Sequence, residues 1–333
     1  MSELRYDPAS EQYVVFAPDR LNRPHGYKAA VSELSTDLFN PFAQGNEGST
    51  PGEVYAKREE GTEADTPGWS VRVIPNLYPA FELQSTLLGV PHPLYPSVAG
   101  VGGHEVLIET SDPLIRFENL SREGMADYFK AVQDRFHYWK NQRGIRSVYL
   151  FKNSGATAGA SLPHAHSQLV ALPIVPPRFE KRNGFYKDYF QKQNRTYFDV
   201  LIEEELRLKR RIVWDSEEIV ALTPYVSRFP YEVIFYPRKS IADFSLNSPK
   251  LLLELSEAIR TLFAQLSKVA RPQFPYNLFL HQVPVGEESA PWFRWSLEVY
   301  PRVGGIAGFE MGTGIWMNSV LPEAAAERLR KIE

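Results

Sequence analysis

Residues 153–173 read N-S-G-A-T-A-G-A-S-L-P-H-A-H-S-Q-L-V-A-L-P, and this stretch organises the reading of the whole chain. The run from Gly155 to Ser161 carries almost no side chain. Such a run brings backbone N–H groups close to an anion, because nothing bulky stands in front of them. His164, His166 and Gln168 follow at single gaps, then the apolar run 169–172, which stops at Pro173. On a strand, alternate residues share a face, so the three polar side chains are expected to point the same way. Singly, a strand histidine is usually packed or solvated and a small-residue run is a loop. In combination they read as a site.

The totals set the outer bounds. A chain of 333 residues with 43% hydrophobic and 23% charged residues can bury a full core as one large or two medium domains. A net charge of −3 provides no electrostatic case for a nucleic-acid partner, although a local cluster can still hold a small phosphorylated ligand. The N-terminus lacks an apolar signal region and no long apolar run occurs, so no membrane partner and a cytoplasmic location are expected. Cysteine is absent, which removes disulfides, thiol nucleophiles and thiolate metal sites.

Outward from the motif, 13–16 and 69–75 alternate as strands. Arg20 and Arg23 stand three apart in a turn, a spacing that suits phosphate or plain solvated surface equally. The polar segment 31–68 reads as a long excursion. Asn76 sits in a turn where its amide can read ligand hydroxyls. A strand at 102–109, a helix opened by Ser121 as N-cap, and a strand at 147–152 lead into the motif. Roughly 130 residues later the order recurs: strand 231–237, helix 251–266, strand 276–281, strand 293–301. This is an internal duplication. Ser296 and Glu298 fall where His166 and Gln168 stand, so only the first copy keeps paired histidines. The intervening 178–211 reads as a helical connector, and 321–332 as a closing helix. The expected domains are 1–177, with the nucleophile, and 178–333, degenerate.

A neutral imidazole can attack phosphorus and divide one transfer into two steps, provided its other nitrogen donates to a fixed acceptor such as a carbonyl of its own strand. Loop N–H groups with Asn153 and Ser161 can then stabilise the phosphate oxygens. Gln168 cannot shuttle a proton. It can hold an intermediate for a phosphorylated acceptor, which needs no base.

Pro163-His164-Ala165-His166-Ser167-Gln168, behind Asn153-Ser154-Gly155, resembles the H-x-H-[GS]-Q signature of the galactose-1-phosphate uridylyltransferase family. That family is the transferase branch of the histidine-triad superfamily and includes ADP-glucose phosphorylase-like members. Residues 6–8, Arg20, Arg23 and Pro24 resemble its N-terminal signature, Asn76 its nucleoside contact, and 308–314 its C-terminal sugar-phosphate loop. The resemblance implies an α+β, duplicated histidine-triad-like fold with two antiparallel-sheet halves, each packed by a helix. It implies His166 as nucleophile and Gln168 as its partner. It implies Arg20, Arg23, Asn76, Asn153, Gly155, Ser161, Phe309 and Glu310 as substrate contacts, and a homodimer with a shared site.

The chain departs from the family at the zinc site that many members carry. Asn40 and Ala43 stand in place of Cys-Pro-x-Cys, the third ligand within 111–114 is replaced, and His164 alone survives as a former ligand position. No metal and no cofactor are expected. Glu298 and Tyr300 stand where some members have second-copy metal histidines, and His281 alone is weak as a ligand. The expected activity is ping-pong transfer between a nucleoside-diphosphate sugar and a sugar 1-phosphate. One alternative is phosphorolysis of ADP-glucose or a dinucleoside polyphosphate. A second is a non-catalytic nucleotide-binding protein.

Overall fold

The computed structural model describes residues 2–22, 39–85, 92–269 and 274–332. The first copy contains β3 (Tyr55–Arg58), β4 (Trp69–Pro75), β5 (Gly103–Ile108), helix α1 (Arg122–Lys140), β6 (Ser147–Ser154) and β7 (His166–Leu172). The second contains β8 (Ile212–Asp215), β9 (Ile219–Leu222), β10 (Val233–Pro237), helix α4 (Pro249–Val269), β11 (Tyr276–His281) and β12 (Ser296–Pro301). Between them lie helices α2 (Pro177–Gln193) and α3 (Tyr197–Leu208). Strands β1 (Glu3–Asp7), β2 (Gln12–Phe16) and β13 (Trp316–Asn318) make a small separate sheet, flanked by helices α5 (Gly308–Thr313) and α6 (Pro322–Arg330). No helix among the described residues is long and apolar enough to cross a membrane.

The two expected sheet halves are present, and the structure joins them. Ten strands run antiparallel in the order β3-β4-β5-β7-β6-β11-β12-β10-β9-β8. Read inward from either edge, the order is the same for both copies. Pairing β6 with β11 removes two exposed edges, each of which would otherwise present unsatisfied backbone groups. The register repeats as well. The row Ile74, Val106, Gln168, Phe151 crosses the first copy. The row Leu222, Ile234, Glu298, Phe279 crosses the second, and the rows meet where Phe151 pairs with Phe279. Glu298 therefore holds the place of Gln168, as the duplication implied.

Helix α1 starts where Ser121 accepts a hydrogen bond from the Gly124 N–H, satisfying one of the helix's free donors. Met125, Tyr128, Phe129, Val132, Phe136 and Trp139 form its buried stripe. Helix α4 buries Leu252, Leu255, Ile259, Leu262 and Leu266 on the same face of the sheet, and one apolar cluster runs through both copies. Residues 167, 169 and 171 of β7 face α1, so His166 and Gln168 face the opposite side. Five strands escaped the sequence reading. β3 lies inside the supposed excursion 31–68, β8 and β9 lie beyond the connector, and β1 and β13 belong to the small sheet; none is longer than five residues. A span that short is too brief for alternation to stand out.

Gly103 lies against the ring of Trp139, and a Cβ there would sit 2.0 Å from Cη2. Trp139 is 5% exposed and has no room to retreat. Gly103→Ala is expected to destabilise the protein by about 1–3 kcal/mol through overpacking. Urea denaturation with an unchanged midpoint would contradict this packing.

Candidate active site

His166 opens β7 and is 7% exposed. Its Nδ1–H donates to the His164 carbonyl at 2.8 Å, the same-strand acceptor that the chemistry requires. Nε2 is thereby left as the bare nitrogen. Burial, with the nearby Lys152 charge adding to it, brings the His166 pKa down to about 4. At neutral pH the ring is therefore unprotonated, with a lone pair on its bare nitrogen.

The opposite face of β7 holds a buried polar network. Lys152 Nζ donates to Glu109 Oε2 at 2.8 Å and to the His166 carbonyl at 2.9 Å. Ser167 Oγ donates to Glu109 Oε1 at 2.7 Å and lies 2.7 Å from the Tyr128 hydroxyl. Burial pushes the Glu109 carboxyl up, and Lys152 pulls it back. This network fixes the backbone that carries His166.

Gln168 is oriented by a residue that the sequence reading passed over. His104 on β5 accepts the Ala80 N–H at Nδ1 (3.1 Å), so its Nε2–H donates to Gln168 Oε1 at 2.7 Å. With its carbonyl occupied, Gln168 turns its NH2 donors to the pocket. Alternation along β5 puts His104 on the Val106 face, and the observed register, with Val106 opposite Gln168, brings the two side chains together. Asn76 Oδ1 accepts the Tyr78 N–H at 2.9 Å, and its Nδ2 lies 3.2 Å from His104 Nε2. Asn76, Ser161, His166 and Gln168 line one pocket of about 250 Å3 whose apolar walls include Phe42, Ile74, Val106 and Leu162. That is room for a nucleoside against apolar walls, with polar groups at one end.

The small-residue loop is a single 3-10 turn, Ala156–Ala158, between Gly155 (φ 84°) and Gly159 (φ 92°). Both conformations favour glycine. Asn277, from the second copy, fastens this loop. Its Nδ2 donates to Asn153 Oδ1 and to the Ala158 carbonyl, both at 2.8 Å, and Arg302 Nη1 holds its Oδ1 at 2.9 Å. Asn153 and Gly155 thus build the base of the loop, while Ser161 reaches the pocket. Arg20 follows β2 in a 3-10 turn, and Phe309 and Glu310 lie on α5 beside β13; none of the three lines the pocket. Arg23 lies outside the described residues.

His164 precedes β7 instead of sharing its face with His166. Its Nε2–H donates to the Thr110 carbonyl at 2.8 Å, and its Nδ1 accepts from Asn40 Nδ2 at 3.0 Å. Asn40 Oδ1 in turn accepts the Phe42 N–H at 3.1 Å, and the Asn40 carbonyl accepts from Asn46 at 2.8 Å. Phe42 stands edge-on to His166 with centroids 5.4 Å apart. With an amide and a methyl in place of two thiolates, and both His164 nitrogens engaged, these residues do not fit a zinc ion. Among the described residues no group of three or more His, Asp or Glu is placed to hold a metal.

A bare imidazole nitrogen and an amide at successive positions of one face, on a duplicated antiparallel sheet, suit a nucleotidyltransferase. The family model described as galactose-1-phosphate uridyl transferase, N-terminal domain, matches residues 1–176, and a domain of unknown function matches 109–332. ADP-glucose phosphorylase of Arabidopsis thaliana is 30% identical, with 99% of this chain and 93% of that protein covered. Galactose-1-phosphate uridylyltransferase of Thermotoga maritima is 28% identical, covering 69% of this chain and 74% of that one. The crystal structure of the Arabidopsis ADP-glucose phosphorylase with bound ADP-glucose superposes with a TM-score of 0.84 at 28% identity, covering 100% of both chains. The chain belongs to the galactose-1-phosphate uridylyltransferase family.

Because His166 stays neutral well below the ordinary histidine range, formation of a covalent intermediate on it is expected to be independent of pH from about 5.5 to about 8. Rapid-quench measurement showing an inflection near 6.5 would count against this environment. Asn40→Ala removes the donor to the buried His164 Nδ1. It is expected to cost about 1–3 kcal/mol in stability, read by chemical denaturation.

Proposed function

We propose that this chain carries a nucleotidyl group on His166 Nε2 between a nucleoside-diphosphate sugar and a phosphorylated acceptor. The observation that carries the proposal is the ring itself: Nδ1–H is held by the His164 carbonyl, Nε2 is bare, and the ring opens into the pocket beside the Gln168 amide. Nε2 attacks the α-phosphorus, the P–O bond to the sugar 1-phosphate breaks, and the sugar 1-phosphate leaves with that oxygen. Sugar 1-phosphate or inorganic phosphate then attacks the same phosphorus, and the P–N bond breaks. No base is needed, because the attacking oxygen is already ionised. Gln168 NH2, Ser161 and the 155–161 loop donate to the phosphate oxygens in both steps. Phe42, Ile74 and Asn76 hold the nucleoside.

Arg20, Arg23, Phe309 and Glu310 complete the phosphate and sugar subsites from a second copy of the chain. This reading is supported by the family resemblance and by the fact that the described three are not among the residues lining the pocket. Residues 1–177 then carry the nucleophile and 178–333 the degenerate copy. Zinc has no part in the site, since Asn40 takes over the positioning of His164.

A second reading places adenine in the pocket and phosphate as acceptor. The likeness to ADP-glucose phosphorylase along nearly the whole chain, in sequence and in fold, favours it. Intact-mass measurement after incubation with UDP-glucose and, separately, ADP-glucose decides between the two. The protein is expected to gain one nucleotidyl group from the preferred donor, and His166→Ala to gain none and lose turnover by more than about a thousandfold. No adduct from either donor, with turnover intact in His166→Ala, overturns the proposal.

A further inference from the structure

The pseudo-two-fold axis at Phe151–Phe279 carries the His166 pocket onto a second place on the same face of the sheet. There the structure has a cavity of about 130 Å3. Leu222, Ile234 and Glu298 floor it, as Ile74, Val106 and Gln168 floor the first. In the first copy this face opens to the pocket. In the second, α2, α3 and the turn between β1 and β2 wall it at the sides and leave an open cavity.

Its chemistry differs from that of the first copy. Glu298 is fully engaged: Oε1 accepts from Arg182 Nη1 at 3.0 Å, and Oε2 accepts from the Tyr300 hydroxyl and lies 3.4 Å from Arg228 Nη2. Glu232 Oε2 accepts the Arg228 N–H at 2.6 Å and the Phe229 N–H at 3.1 Å. Burial pushes its carboxyl up to about 7, so it contributes only part of a negative charge at neutral pH. Asp7 is turned back on its own loop, accepting from the Ala9 N–H and Ser10.

What remains free is donors. The side-chain hydrogen bonds of Arg228 all run through Nη2, leaving Nε and Nη1. Arg178, exposed at the mouth, makes no ion pair among the described residues. Tyr236 is 4% exposed and lines the cavity in the field of Arg182 and Glu298, and its hydroxyl has no hydrogen-bond partner among the described residues. An unpaired hydroxyl that reaches the cavity can donate to a ligand oxygen. Guanidinium forks and phenolic O–H groups converging where the carboxylates are already satisfied match the oxygens of a phosphate group. A cavity of this size compares with the ~150 Å3 that holds a six-membered ring, enough for a phosphate and part of its ester group.

We propose that this second-copy cavity is a binding site for a small phosphorylated anion, separate from the His166 pocket and without chemistry of its own. Arg228, Tyr236 and Arg178 hold the phosphate oxygens; Tyr6, Tyr197 and Ile234 contact what it is esterified to. The duplication thus leaves two ligand places on one sheet, one kept for transfer and one for occupancy. The absence of an imidazole at Ser296 explains why the second place cannot transfer.

Equilibrium dialysis with labelled inorganic phosphate tests this on the full chain. Wild-type protein is expected to bind at a site that an excess of non-hydrolysable nucleoside-diphosphate sugar does not displace. Arg178→Ala with Tyr236→Phe is expected to weaken that site by at least about tenfold while turnover is retained. Arg178→Ala alone changes an exposed side chain, keeps the fold, and is expected to weaken it by about threefold. Dialysis repeated with glucose 1-phosphate shows whether an ester binds more tightly than the free ion. Complete displacement of phosphate by the nucleotide sugar, or binding unchanged in both variants, overturns the proposal. Failure of the His166 reading would leave these outcomes as they stand, because the decisive signal is the phosphate that the nucleotide sugar does not compete for.

Discussion

The antiparallel ladder between β6 and β11 is the constraint on which the rest of the structure depends. It pairs Phe151 with Phe279 and Asn153 with Asn277. The first pair centres the pseudo-symmetry. The second anchors the phosphate loop, because Asn277 reaches across the seam to hold both Asn153 and the Ala158 carbonyl. A slip of one residue would turn Asn277 to the other face and release the loop. The copy that holds His166 is therefore completed by the copy that lacks the paired histidines. This gives a physical reason for the degenerate half to persist.

Buried charge is handled by the same logic on both sides of the seam. In the first copy, Lys152 and Glu109 neutralise each other behind β7, and the lysine also holds the His166 carbonyl. In the second, Arg182 and Arg228 converge on Glu298 and hold its carboxyl below the ordinary range despite complete burial. Such pairs add little net stability, since desolvation offsets most of the attraction, but breaking one leaves an unpaired charge in the interior. They act as locks on geometry. The Asn40–His164–Thr110 chain works similarly with neutral groups: two hydrogen bonds hold a ring and its strand where a resemblance to zinc-bearing relatives would place a metal.

Much of this was legible in residues. The apolar stripe and Ser121 cap of α1 placed that helix closely, and the recurrence of strand, helix, strand, strand revealed the duplication. The H-x-H-x-Q motif pointed to His166, and the structure set its Nδ1–H on a carbonyl of its own chain segment. His104, Asn277 and Lys152 were not singled out as site residues. Each acts through a partner at least fourteen residues away, from His104 on Gln168 to Asn277 on Asn153, across strands whose register the sequence does not state. The four-residue strands β3, β8 and β9 were too short to show a period. His164 was expected to share a face with His166. It lies ahead of the strand because its ring is drawn to Asn40 and Thr110.

Residues 153–173 by themselves determined the imidazole in this position, the glycine-dependent loop before it and the apolar strand after it. These follow from side-chain chemistry and local backbone preference, which neighbours in sequence suffice to express. Tertiary structure alone decided which way Gln168 presents its amide, how Asn277 fastens the loop, and that a second cavity lies over Glu298. Each of these depends on groups brought together from distant segments, and on burial, which strengthens every hydrogen bond and charge it encloses and has no local signature in the chain.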